Sequence, residues 1–254
     1  MDGSFLSDER LVAATRGFVC IRLATYEDAE EALFLRGIFA GRDGQLENTV
    51  FCLLGPDGRQ RLSRSGRSPH FAFRDVASMV ESMHELTERY PYSILSAGTD
   101  TRLPVMKSVA LGLNVAACDR LPIIVTYSPD AAKLEALNQR LLSLAWTEEL
   151  AGQYIYVSTT QGSELRIAVD EAPVPGIYVL KPDDFGVRAK TLGHFKHDEQ
   201  EDRLQRELAR IAANTLEKTK NTRRHIAEGH RRGIEWESEI PVTDAHAIQA
   251  RRSR

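Results

Sequence analysis

The sequence predicts an α/β protein made of two similar units, each with a mixed β-sheet and flanking helices. Three observations carry that expectation. Short apolar runs rich in Val, Ile and Tyr alternate with stretches whose apolar residues recur at helical spacing. Two segments, TVFCLLGPDGRQRLSRSG (residues 49–66) and GIYVLKPDDFGVRAKTLG (residues 176–193), share one order: an apolar strand, Pro-Asp, a glycine soon after, a basic return strand and a closing glycine. Finally, 254 residues of which 42% are hydrophobic suffice for one large domain or two small ones.

Taken in order, residues 6–16 read as a short helix closed by Gly17, and FVCIRL (18–23) as a strand. A second helix follows in YEDAEEALFLRGIF (26–39), with Ala29, Ala32, Leu33 and Phe39 on one face and acids near its start. Residues 49–54 form the next strand, Gly55-Pro56-Asp57-Gly58 a tight turn, and 59–63 the antiparallel return. Val76, Met79, Val80, Met83 and Leu86 then mark a helix over 75–89, which completes a first unit at residues 1–91.

Residues 92–120 read as a helical connector, with VMKSVALGLNVAACD (105–119) as its buried helix. The second unit, 121–210, starts with the strand LPIIVTY (121–127). A helix from position 129 or 130 to about 146 carries a stripe of Leu134, Leu137, Leu141, Leu142 and Ala145. A strand over 154–159 and the second hairpin follow. From residue 198 a long polar helix is expected, whose narrow stripe of Leu204, Leu208, Ile211 and Leu216 could serve its own domain or a homodimer. Residues 211–254 form a polar extension, irregular beyond Gly233.

An apolar strand, a Pro-Asp-Gly turn, an antiparallel strand ending at glycine and then an amphipathic helix resemble the C-terminal ββα half of thioredoxin-like domains. The likeness covers residues 5–90 and 121–210, the first unit lacking its N-terminal part. It implies a thioredoxin-like fold in two copies. In that family a Cys-x-x-Cys pair sits where a helix follows a core strand, so that the helix N-terminus stabilises a reactive thiolate. Here that place holds YSPDA (127–131), and the first unit begins after it. The family's cis-proline position corresponds to Pro173 or Pro175 in the second unit and to no proline near Asn48-Thr49 in the first. The resemblance therefore implies a derived, non-catalytic scaffold or binding protein.

The three cysteines do not make a disulfide framework. Cys20 and Cys52 read as buried strand residues and Cys118 as the more exposed thiol; a thiol-dependent oxidoreductase or peroxidase using one of them is the enzymatic alternative. His194 and His197, three apart and followed by Asp198 and Glu199, are the nearest approach to a metal set, but no His-Glu-x-x-His pattern or cysteine pair completes it. Arg59, Arg61, Arg64 and Arg67 form the densest basic cluster, readable as a charged edge strand or as a surface for a small anion or an acidic protein partner. A second basic run, 218–232, lacks the interleaved aromatics of a base-stacking platform, and with a net charge of −3 a nucleic-acid partner is not expected. No phosphate loop, nucleophile elbow or cofactor fingerprint is found. The absence of a leader pattern and of a 20-residue apolar run leads to the expectation of a cytoplasmic protein with no membrane partner and no cofactor.

Overall fold

The computed structural model describes residues 5–21, 23, 25, 28–41, 44, 46–47, 50–91, 103–147, 149–169, 171–215 and 221–234. The chain divides into two compact units, residues 1–99 with 237–254 and residues 100–236. Leu216, the 92–102 part of the connector and the 235–254 part of the tail lie outside the described residues.

In the first unit, helix α1 (Glu9–Thr15) is capped by Asp8, helix α2 (Ala29–Ile38) by Asp28 and helix α3 (Val76–Arg89) by Asp75. Each carboxylate accepts first-turn N–H groups that would otherwise lack a partner. Asp75 and Ser78 form a reciprocal capping box. Leu11, Ala14, Met79 and Met83, from α1 and α3, pack with Phe5 and Leu53 into one small core. Residues 51–66 fold back as an antiparallel hairpin held by isolated bridges, Phe51 opposite Gly66 and Leu54 opposite Arg61. At its turn Asp57 Oδ1 accepts the N–H groups of Arg59 and Gln60, and Gly58 takes the left-handed conformation at φ 64°.

Three expectations fail in this unit. Among the described residues it carries isolated bridges and no β-sheet, although the sequence predicts a mixed sheet in each unit. Residues 18–21 and 23 carry no strand: Val19 is 80% and Ile21 63% exposed, because no neighbouring strand pairs with them among the described residues. High β-propensity alone does not make a strand. Likewise Leu33 is 68% exposed, and the buried positions of α2 are Ala32 and Ile38.

The second unit is a five-stranded mixed sheet with strands β1 (Val105–Met106), β2 (Ile123–Tyr127), β3 (Ile155–Thr159), β4 (Gly176–Pro182) and β5 (Ala189–Phe195). Their spatial order is β1-β3-β2-β4-β5. β3 runs parallel to both β1 and β2, whereas β4 is antiparallel to β2 and β5 antiparallel to β4. Residues 103–120, read from the sequence as a connector, instead supply β1 and helix α4 (Val109–Asp119) to this sheet. The continuous apolar run of β2 fits its central place, covered on both faces.

Helices α5 (Ala131–Ala145) and α6 (Glu201–Asn214) cover one face. Leu137, Leu141, Leu204, Leu208 and Ile211 meet Ile124, Tyr156, Ile177, Val179 and Phe195 there. The stripe considered for a dimer is thus spent on the protein's own sheet: Leu204 is 0% exposed, and burying one leucine contributes about 1.5–3 kcal/mol. On the other face α4 and a 3-10 turn (Gly162–Ile167) pack Leu113, Ala116 and Leu165 against Ile123, Val125, Val157 and Leu180. The polar helix expected from residue 198 is two helices, since α6 ends at Asn214 and α7 (Thr222–Arg231) starts anew at the cap Asn221. Asn214 Nδ2 and Thr215 Oγ1 donate to the last-turn carbonyls of Arg210 and Ile211, closing α6.

The β4–β5 turn repeats the chemistry of the first hairpin. Asp183 Oδ1 accepts the N–H groups of Phe185 and Val187, and Gly186 is left-handed at φ 65°. A Cβ at Gly186 would also strike α4 at Leu113 and Ala117. Phe185 is buried, with the His225 ring stacked on it at 4.5 Å and the Arg232 guanidinium 5.3 Å from its centre, so α7 closes over this turn. No described helix is long and apolar enough to cross a membrane.

Candidate functional site

Three places could carry function: the thiols, the N-terminus of α5, and the charged surfaces. All three cysteines are free. Cys20 is exposed, contrary to the buried strand position expected, because residues 18–21 join no sheet. Cys52 is half-buried in the first hairpin, its Sγ 3.4 Å from the Leu53 carbonyl oxygen and 3.7 Å from that of Ser63. Cys118 is exposed in the last turn of α4, at the carbonyl end of the helix, opposite to the N-terminal setting of reactive thiols. None of the three has a cysteine partner.

At the α5 N-terminus, where β2 ends, the chain reads Tyr127-Ser128-Pro129-Asp130-Ala131. Ser128 is buried, and its Oγ accepts the Asp130 N–H at 3.1 Å. Asp130 caps α5, Oδ1 accepting the N–H groups of Ala132 at 2.9 Å and Lys133 at 3.1 Å. Beneath this turn the buried Thr126 hydroxyl donates to Asn138 Oδ1 at 2.7 Å, and Asn138 Nδ2 donates to Ser158 Oγ at 2.9 Å. Every group named is occupied in holding strand and helix together. Pro173 and Pro175, the places that correspond to the family's cis-proline, follow trans peptide bonds, as do all described residues.

His194 and His197 do not converge. His194 lies on β5 and His197 in the turn after it, so their three-residue spacing does not bring them to one face as it would on a helix. His194 lies against Tyr178, ring centres 4.3 Å apart; burial by that contact holds its pKa below the ordinary value of 6.5, partly offset by hydrogen bonds to the Val174 and Pro175 carbonyls. Among the described residues no group of three metal-ligating side chains occurs.

The four arginines of the hairpin are exposed, but they are not equivalent. Arg61 donates to the Ile38 carbonyl at 3.2 Å and Arg67 pairs with Glu47 at 3.3 Å, so both hold the first unit together. Arg59 and Arg64 make no ion pair among the described residues.

A stronger basic surface, unnoticed in the sequence, lies in the second unit on either side of β5. On the α6 side an open groove of about 710 Å³ is lined by Lys181, Arg188, Lys190 and Arg210, with Asp183 as its carboxylate among the described residues. On the α4 side a second groove, about 1100 Å³, takes Arg166, Arg188, Lys190 and His194, with Glu171 as its carboxylate among the described residues. Asp183 is engaged by turn amides, and Arg210 is paired with Glu207 at 2.7 Å. Arg166, Arg188 and Lys190 have no ion-pair partner among the described residues. These residues are scattered over 45 positions, from 166 to 210, and only the hairpin brings them together.

Compared with protein-family models, curated proteins and solved structures, the chain matches none.

Proposed function

We propose that the protein is a thioredoxin-like binding module that has no dithiol chemistry. One observation carries this reading. The antiparallel β4–β5 hairpin with its Pro-Asp turn, followed by the amphipathic α6, supports the ββα resemblance, and the α5 N-terminus that follows the central strand β2 holds Ser128-Pro129-Asp130-Ala131 and no cysteine pair. Capping by Asp130 uses the helix end that would otherwise stabilise a thiolate. The likeness of the two Pro-Asp turns, each with an aspartate accepting two turn amides and a left-handed glycine, favours a first unit derived by duplication of the same scaffold.

The test is catalytic. Reduction of insulin disulfides by dithiothreitol, followed with and without the protein, should show no acceleration. The triple substitution Cys20→Ser, Cys52→Ala, Cys118→Ser should leave that result unchanged. Turnover that disappears when any one of these cysteines is replaced would overturn the reading in favour of a thiol enzyme.

A further inference from the structure

β5 pairs with β4 on one side and with no strand on the other among the described residues, so its outer edge offers backbone N–H and C=O groups to a further chain. The register with β4 skips Leu192, which separates the regular stretch 193–195 from the regular stretch 189–191. The two grooves flank this stretch, and Arg188 and Lys190 line both. Among the described residues the grooves present Arg166, Arg188 and Lys190, with Lys181 and the Glu207-paired Arg210 beside them, against Asp183 and Glu171. That local excess stands on a chain whose net charge is −3.

We propose that the outer edge of β5 and its two basic grooves bind an acidic, extended peptide segment of a partner protein. A strand laid on the edge directs alternate side chains to opposite faces of the sheet, so successive residues enter the two grooves in turn. Both grooves are basic, hence acidic residues at consecutive positions are matched on either side. A nucleic acid is the poorer fit, because the grooves expose no Trp, Tyr or Phe ring for base stacking: Tyr178, the one such residue lining them, is buried and covered by His194. The proposal rests on the binding-module reading but fails separately from it, since the measurement below involves no thiol turnover.

The experiment uses the full chain and a fluorescein-labelled octa-glutamate peptide, followed by fluorescence anisotropy at about 50 mM and about 300 mM sodium chloride. An octa-lysine peptide and a labelled oligo-thymidine serve as comparison arms. Binding of octa-glutamate is expected at low salt, weaker by at least about fivefold at high salt, with slowed amide exchange in residues 188–191 when the peptide is added. The double substitution Arg188→Glu with Lys190→Glu, at two exposed positions, should raise Kd at least about tenfold. Arg59→Glu with Arg64→Glu in the first unit should leave Kd within about twofold. Any of three results overturns the proposal: no octa-glutamate binding, a Kd unaffected by reversal at 188 and 190, or tighter binding of oligo-thymidine than of octa-glutamate at equal salt. Failure to bind is also what a purely protective charged edge would give.

Discussion

The proposed reading takes the N-terminus of α5 as the helix end a cysteine pair would use, so a pair placed at its N-cap and third helical position, the latter two residues beyond the 128–131 stretch, tests whether that end supports thiolate chemistry. Asp130 is the N-cap and Lys133 the third residue of α5, and side chains at these two positions meet in capping boxes. The perturbation is Asp130→Cys with Lys133→Cys, in a background carrying Cys20→Ser, Cys52→Ala and Cys118→Ser. A thiolate at position 130 would inherit the N–H groups of residues 132 and 133 that Asp130 now holds at 2.9 and 3.1 Å. Those bonds together with the helix dipole favour the charged form by about 1–2 kcal/mol. At about 1.4 kcal/mol per pKa unit, the introduced thiol should titrate about one unit below the ordinary value of about 8.5. Loss of the aspartate cap costs about 1 kcal/mol, little enough for the unit to stay folded. Thiolate absorbance against pH gives the titration, and mass spectrometry after mild oxidation reports the intramolecular disulfide. A thiol that titrates at or above the free-cysteine value, or a pair that does not close, would refute the assignment of this turn.

Three further outcomes follow from the geometry. Gly112 lets α4 approach the sheet so closely that a Cβ there would strike Val157 Cγ2 and lie 2.7 Å from Ile123 Cδ1; Gly112→Val should cost more than about 2 kcal/mol in urea unfolding, despite any gain in helix propensity. Asn138→Ala removes the nearer acceptor of the buried Thr126 hydroxyl, leaving it the Val157 carbonyl at 3.2 Å, and removes the donor to Ser158; it should cost about 1–2 kcal/mol, with Asn138→Leu no better. Because burial lowers the pKa of His194 in the folded state, the unfolded chain takes up its proton first as pH falls. Stability from this group is therefore full above pH 6.5 and declines below it, and His194→Gln should flatten the acid limb of Tm against pH.

How far the sequence reveals the structure depends on where each signal resides. β2, α5, β3 and the β4–β5 hairpin announce themselves by local pattern: IIVTY is short, apolar and flanked by prolines, and the leucines of α5 recur at helical spacing. β1 has two residues, too few for any period, and exists because β3 offers a parallel edge some fifty positions away; its Val105 and Met106 therefore vanish into the reading of 105–119 as one helix. The opposite error occurs at residues 18–21, where propensity is high and the partner is missing. The boundary between α6 and α7 could have been read from Asn214-Thr215 and from Asn221, residues that bond to nearby backbone and so favour helix ends. Of the candidate sites, the contiguous arginines of the first hairpin are conspicuous in sequence yet half are tied to their own unit, whereas the cations around β5 become a cluster only through folding.

A binding site needs groups whose hydrogen-bonding or charge capacity is not already spent within the fold. At the α5 N-terminus that capacity is used: the helix amides go to Asp130, Ser128 serves Asp130, and Thr126, Asn138 and Ser158 satisfy one another. A ligand arriving there would have to break bonds each worth about 1 kcal/mol before making its own. Around β5 the balance is reversed. Its outer backbone edge faces no strand among the described residues, and Arg166, Arg188 and Lys190 are cations with no ion-pair partner among them, so an incoming chain gains contacts without displacing any. On the proposed reading the α5 N-terminus is silent and the β5 edge receptive, and the two properties separate experimentally: the cysteine graft at 130 and 133 leaves the β5 edge untouched, and charge reversal at 188 and 190 leaves α5 untouched.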